Sequence, residues 1–94
     1  MIDVFQRRLG EAVAVTDLSV FELWLRYATL SGTADCVEIE GYIAGLTTLP
    51  DHEHNVLAVA VNECLSQLGY LPAALYRVAP DWTHPAGSTD TRNP

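Results

Sequence analysis

Residues 19–31 constrain this chain more than any other stretch. Ser19 followed by Glu22 has the pattern of a capping box, in which each side chain satisfies a free backbone N–H of a helix's first turn. Gly32 stands where a left-handed residue would close that helix. Between them Val20, Phe21, Leu23, Trp24, Leu25, Tyr27, Ala28 and Leu30 cover most of the helical circumference, leaving Glu22, Arg26 and Thr29 one narrow stripe. A helix this apolar must be buried on most sides. The chain has 94 residues, enough for one core and too few for two, so it has little protein with which to surround such a helix. Leu23, Leu25 and Leu30 cannot all share the side of Phe21 and Trp24, because successive helical residues are about 100° apart. These three leucines are therefore the expected apolar interface, and a homodimer is the expected way to cover them.

The rest of the chain reads as further helices. Ile2, Phe5, Leu9, Ala12 and Val13 recur at helical spacing, although Gly10 interrupts and residues 12–16 would also fit an extended strand. A third segment starts at Thr33 or at Asp35, the latter pairing with Glu38 as a capping box. It carries Cys36, Ile39, Tyr42 or Ile43, and Leu46 on one face and stops near Gly45. Gly41 and Gly45 put two small residues on one side of it, fitting either a close backbone approach or an early stop. Pro50, Asp51 and Glu53 then make a favourable first turn, since proline lacks the N–H that would go unsatisfied there and carboxylates suit the positive end of the helix dipole. Leu57, Ala60, Val61, Cys64 and Leu68 continue that helix to Gly69. The expected core joins it to the apolar helix through Phe21, Trp24, Ala28, Leu57, Val61, Cys64 and Leu68. Residues 71–76 read as a short helical turn or a docking arm. From Ala79 onward the Pro, Gly, Ser and Thr content describes a flexible, disordered tail. The expected architecture is all-α, a small three- to four-helix domain over residues 1–78 followed by the tail 79–94, in which Trp82 is an anchor for the tail or a contact for a partner.

Charge narrows the list of partners. Twelve acidic residues stand against five basic ones, a formal net charge of −7, and all five cations are arginines, scattered at positions 7, 8, 26, 77 and 92. Phosphate recognition needs a clustered basic face, so nucleic acid is not an expected partner. Between positions 27 and 76 there is no Lys or Arg, while Asp35, Glu38, Glu40, Asp51, Glu53 and Glu63 all fall there. Those six are the candidate acidic face for a basic partner protein, set against the plainer reading that they serve solubility. Cys36 and Cys64 lack any metal or redox spacing and read as two reduced core residues. The longest apolar run, residues 56–61, is too short to span a membrane, and no secretory signal pattern is visible. The cytoplasm is thus the expected compartment, and a lysine-free chain rich in Ala, Val, Arg and Thr suggests a GC-rich bacterial genome.

No chemical signature accompanies these features. His52, Glu53 and His54 are neighbours, but adjacent and alternate helical residues diverge and would not share a metal, so neither a metal nor a cofactor is expected. Cys36, Cys64, Ser66 and Ser88 could serve as nucleophiles only if the fold set a histidine beside one. No nucleophile elbow, dinucleotide fingerprint, phosphate loop or zinc-protease motif is present, and an enzyme is not expected. The reading that fits best is a small acidic regulatory or adaptor protein working by protein–protein interaction. One alternative is a helix-turn-helix regulator turning near residues 46–51, whose next helix offers His52, His54, Asn55 and Asn62 but no cation to hold phosphate. A more remote one is a small-molecule binder or enzyme with its site between helices or subunits.

Overall fold

The computed structural model describes residues 3–77, so Ile2, the tail 79–94 and the expected role of Trp82 lie outside the described residues. Those residues form four helices and no strand: α1 Val4–Thr16, α2 Val20–Thr29, α3 Cys36–Ile43 and α4 Asp51–Gln67. The starts follow from side-chain chemistry. Asp3 caps α1 by accepting from the Gln6 N–H at 2.8 Å, and complete capping boxes open α2 at Ser19/Glu22 and α3 at Asp35/Glu38. Pro50 precedes α4 without a side-chain cap, and Asp51 and Glu53 sit in that helix's first turn. Residues 12–16 continue α1 as helix, which Asp17 closes in a left-handed conformation at φ 59°.

Three of the helices end alike. In each, one N–H reaches back five residues and the preceding one reaches back three, around a left-handed residue: Ser31 after α2, Gly45 after α3 and Gly69 after α4. Gly32 is therefore not the left-handed residue that its position suggested; Ser31 takes that role at φ 74°. Gly32 meets a different demand, since a Cβ there would lie 2.3 Å from the Tyr27 ring. Gly45 is likewise a helix stop, and Gly41 faces the side chain of Thr47 rather than another helix.

Helices α3 and α4 each pack against both α1 and α2. The core joins Leu9, Ala12 and Val13 of α1, Leu23 and Tyr27 of α2, Ile39 and Tyr42 of α3, and Leu57, Ala58, Ala60, Val61 and Leu65 of α4. Fully burying a side chain such as Leu23 or Leu57 contributes about 1.5–3 kcal/mol. Of the expected core contacts, Leu57, Val61 and Cys64 are buried and Trp24 is half-buried, whereas Phe21, Ala28 and Leu68 are exposed. The correction comes from the rotation of α2. Its inward face runs through Val20, Leu23, Tyr27 and Leu30, because the Tyr27 phenol finds a polar partner inside, as described below. Leu23, expected at an interface, is accordingly sealed in the core. No helix among the described residues is long and apolar enough to cross a membrane.

Candidate functional site

Two surfaces stand out in the structure: the side of α4 covered by residues 71–77, and the outer side of α2. Residues 71–77 have no regular secondary structure. Their backbone groups must find partners elsewhere, and α4 supplies them from polar side chains turned inward. Asn62 accepts from the N–H groups of Ala73 and Ala74, both at 3.0 Å, and donates to the Ala74 carbonyl and the Tyr76 hydroxyl, again at 3.0 Å. Asn55 clamps both backbone groups of Arg77, accepting from its N–H at 2.7 Å and donating to its carbonyl at 2.8 Å. Asn55 and Asn62 are seven residues apart and so share one face of α4. The arm runs back along that face: the eight helical steps from 54 to 62 cover about 12 Å, and the three extended steps from 74 to 77 cover about 10 Å.

His54 completes the seat and is wholly buried. Its Nε2 lies 2.8 Å from the Leu75 carbonyl, which can only accept, so Nε2 carries the proton. Nδ1 is then the acceptor for the Tyr42 hydroxyl at 2.6 Å, and that hydroxyl in turn accepts from Arg77 Nη2 at 3.2 Å. Arg77 ends the chain of contacts: it pairs with Asp3 at 2.7 Å, lies 3.6 Å from Asp51, and sits 5.1 Å from the centre of the Phe5 ring. Its Nε is buried without a hydrogen-bond partner. Burial holds His54 below the ordinary imidazole range and Arg77 reinforces this, outweighing the Leu75 hydrogen bond and the carboxylates of Asp3 and Asp51. Burial likewise pushes Tyr42 up. The Gln6 N–H, ahead of Arg77, holds Asp3 below the usual carboxylate range.

These contacts give several of the residues singled out in the sequence their places. Both nitrogens of His54 are committed to hydrogen bonds and its side chain is buried, whereas His52 is exposed. Among the described residues no group of three or more His, Cys, Asp or Glu could hold a metal ion. Cys36 and Cys64 are free thiols. Ser88 lies outside the described residues. Of the four polar α4 residues a helix-turn-helix reading would use, His54, Asn55 and Asn62 are spent inside the molecule. The sequence reading treated Asn55 and Asn62 only as possible base readers. Their seven-residue spacing, on either side of the apolar run 56–61, was the available signal that they hold a neighbouring segment.

Two of the six candidate acidic residues, Glu53 and Asp51, meet other parts of the chain. Glu53 turns inward, where Tyr27 donates its hydroxyl proton to one carboxylate oxygen and the Thr33 N–H donates to the same oxygen at 3.0 Å. The Ala34 N–H donates to the Tyr27 hydroxyl at 2.9 Å, so this cluster fixes the turn after α2, and Trp24 Nε1 adds a bond to the Ala34 carbonyl at 3.0 Å. Burial raises the Glu53 carboxyl, but these hydrogen bonds prevail and leave it below its ordinary value. Tyr27 is pushed up to about 12, by burial first and by Glu53 second. Glu53 is thus structural, which corrects its place in a docking face. Asp51 is exposed but faces Arg77. Asp35, Glu38 and Glu40 are exposed together on α3 and its cap, and Glu63 is exposed on α4.

On the outer side of α2, Phe21 is 57% exposed and Leu25 45%, with Ala28 exposed one turn beyond Leu25 on the same stripe. The Phe21 ring lies 6.0 Å from that of the half-buried Trp24. Leu30 is half-buried against the core. Of the three leucines expected at an interface, Leu25 is the one that is exposed. No protein-family model, curated protein or solved structure matches this chain.

Proposed function

We propose that this protein acts by binding other proteins, as a small acidic regulatory or adaptor module, and that it does so as a homodimer joined across the outer stripe of α2. The observation that carries the reading is the stripe itself. Phe21, Leu25 and Ala28 lie side by side in water, with the edge of Trp24 beside them, and no part of the described chain covers them. An aromatic and an aliphatic side chain grouped on a rigid helix are what the desolvated centre of an interface requires. A symmetric contact satisfies such a stripe with a second copy of itself. Asp35, Glu38 and Glu40, which no cation on α3 offsets, then serve a basic partner by electrostatic steering. The two free cysteines fit a reducing compartment, the cytoplasm.

Sedimentation equilibrium at micromolar concentration tests this. The expected mass is near twice 10.3 kDa, and Leu25→Glu shifts it to the monomer while the far-ultraviolet circular dichroism stays helical. A folded wild-type monomer at every concentration overturns the dimer.

A further inference from the structure

The arm is held in an unusual manner for part of a helical core. Five of its backbone groups, the N–H of residues 73, 74 and 77 and the carbonyls of 74 and 77, are read by two asparagines, and the carbonyl of 75 by His54. Recognition of this kind depends on an extended backbone and on few side chains. Two positions are selective. Ala74 is 5% exposed, leaving space for a small residue only, and position 77 takes an arginine against Asp3, Asp51 and the Phe5 ring. The seat is therefore built for an extended segment with a small residue followed three positions later by arginine. This chain's own residues 73–77 are one such segment.

The link between α4 and the arm is short and exposed. Residues 68–72 are all exposed, with Gly69 left-handed at φ 87°. Leu68 is 52% exposed, Tyr70 56% and Leu71 85%, so three large apolar side chains in this link stay more than half uncovered by the described residues. The seat does not distinguish which copy of the chain supplies the arm, because every contact that it makes is with residues 73–77.

We propose that the seat is an exchange site, in which two copies of this chain trade residues 73–77 and each arm lies on the other's α4. Exchange conserves every hydrogen bond and ion pair of the arm, so only the link decides the balance. A tethered arm competes at an effective concentration of about millimolar. Pairing two links buries Leu68, Tyr70 and Leu71, which favours the exchanged form. This contact is separate from the α2 stripe and involves none of its residues.

The direct test uses the wild-type chain at millimolar concentration, mixing labelled and unlabelled copies and recording isotope-filtered nuclear Overhauser spectra. Exchange gives cross-peaks between the Asn62 side-chain amide of one copy and the Ala74 methyl of another. Their presence within single copies alone overturns the proposal. A second test is complementation in a Leu25→Glu background, which removes the α2 contact. One chain carries Asn62→Ala, spoiling the seat, and the other Ala74→Glu with Arg77→Ala, spoiling the arm. Each alone is monomeric, and the mixture sediments as a 1:1 pair that weakens at least tenfold when Arg77→Ala is added to the arm donor. No pairing between chains that both remain helical counts against exchange. If wild type is dimeric but lacks the intercopy cross-peaks, this inference falls and the α2 interface stands; cross-peaks that persist in Leu25→Glu separate the two the other way.

Discussion

The arm side of α4 and the outer side of α2 invert the usual distribution of residues in opposite senses. On α4, His54, Asn55 and Asn62 are polar and buried; on α2, Phe21 and Leu25 are apolar and exposed. The first inversion is resolved within the chain, since every one of those polar side chains meets a group of residues 73–77. The second is not resolved by any described residue. Burying a polar group without a partner costs about 1–3 kcal/mol, which is why α4 and the arm belong to one unit, whereas an apolar residue in water costs little locally and stays available for association.

The largest expected effect separates the two sides by mutation. Asn62→Ala leaves the Ala73 and Ala74 N–H groups and the Ala74 carbonyl without their partner and lowers the unfolding free energy by about 1–3 kcal/mol or more. Phe21→Ser, measured by urea unfolding at a concentration where the protein is monomeric, changes it by less than about 0.5 kcal/mol. Equal losses at both positions would erase the contrast.

Next in size is the response to acid. The neutral form of His54 is favoured in the folded state, so its folded pKa lies below the unfolded value of 6.5. Its contribution to stability is then fully present above pH 6.5 and is lost as the pH falls from there toward the folded pKa. Protonation also sets a second cation close to Arg77, with the carboxylates of Asp3 and Asp51 opposing it among the described residues. Thermal unfolding from pH 7.5 to 5 is expected to show falling stability in wild type and a flatter profile in His54→Gln.

A smaller effect is expected in alkali at Tyr27. With its pKa raised from 10.0 to about 12, its contribution is whole below pH 10 and declines as the pH rises through 12. Absorbance titration is expected to show Tyr27 and Tyr42 ionising above the ordinary tyrosine range, and Glu53→Gln to bring Tyr27 down. The smallest effect is at a helix end. Ser31 holds φ 74° where glycine carries no steric penalty, so Ser31→Gly adds up to about 1 kcal/mol of stability in chemical unfolding.

The two sides also differ in how legible they were in the sequence. The capping boxes at Ser19/Glu22 and Asp35/Glu38, the Pro50 start and the stop at Gly69 are local signals, and they located helices that the structure contains. The rotation of α2 was not legible: apolar residues cover so much of that helix that its period could not choose between the Leu23/Tyr27 side and the Phe21/Ala28 side. Glu53 was read from its position in a first turn, while its actual partners, Tyr27 and Thr33, are 26 and 20 residues away. The arm was anticipated as a segment but not by its means of attachment, because side-chain to backbone bonds between residues 11 to 22 apart leave no periodic trace.

The stripe on α2 can be examined most directly by following side-chain methyl spectra on dilution. From hundreds of micromolar to a few micromolar, the Leu25 and Ala28 methyl signals are expected to shift together along one saturating curve, while those of Leu23, Leu57 and Ala74 stay fixed. Unchanged Leu25 and Ala28 signals across the whole range, in a protein that keeps its helical spectrum, would contradict the claim that α2 is the face through which this protein associates.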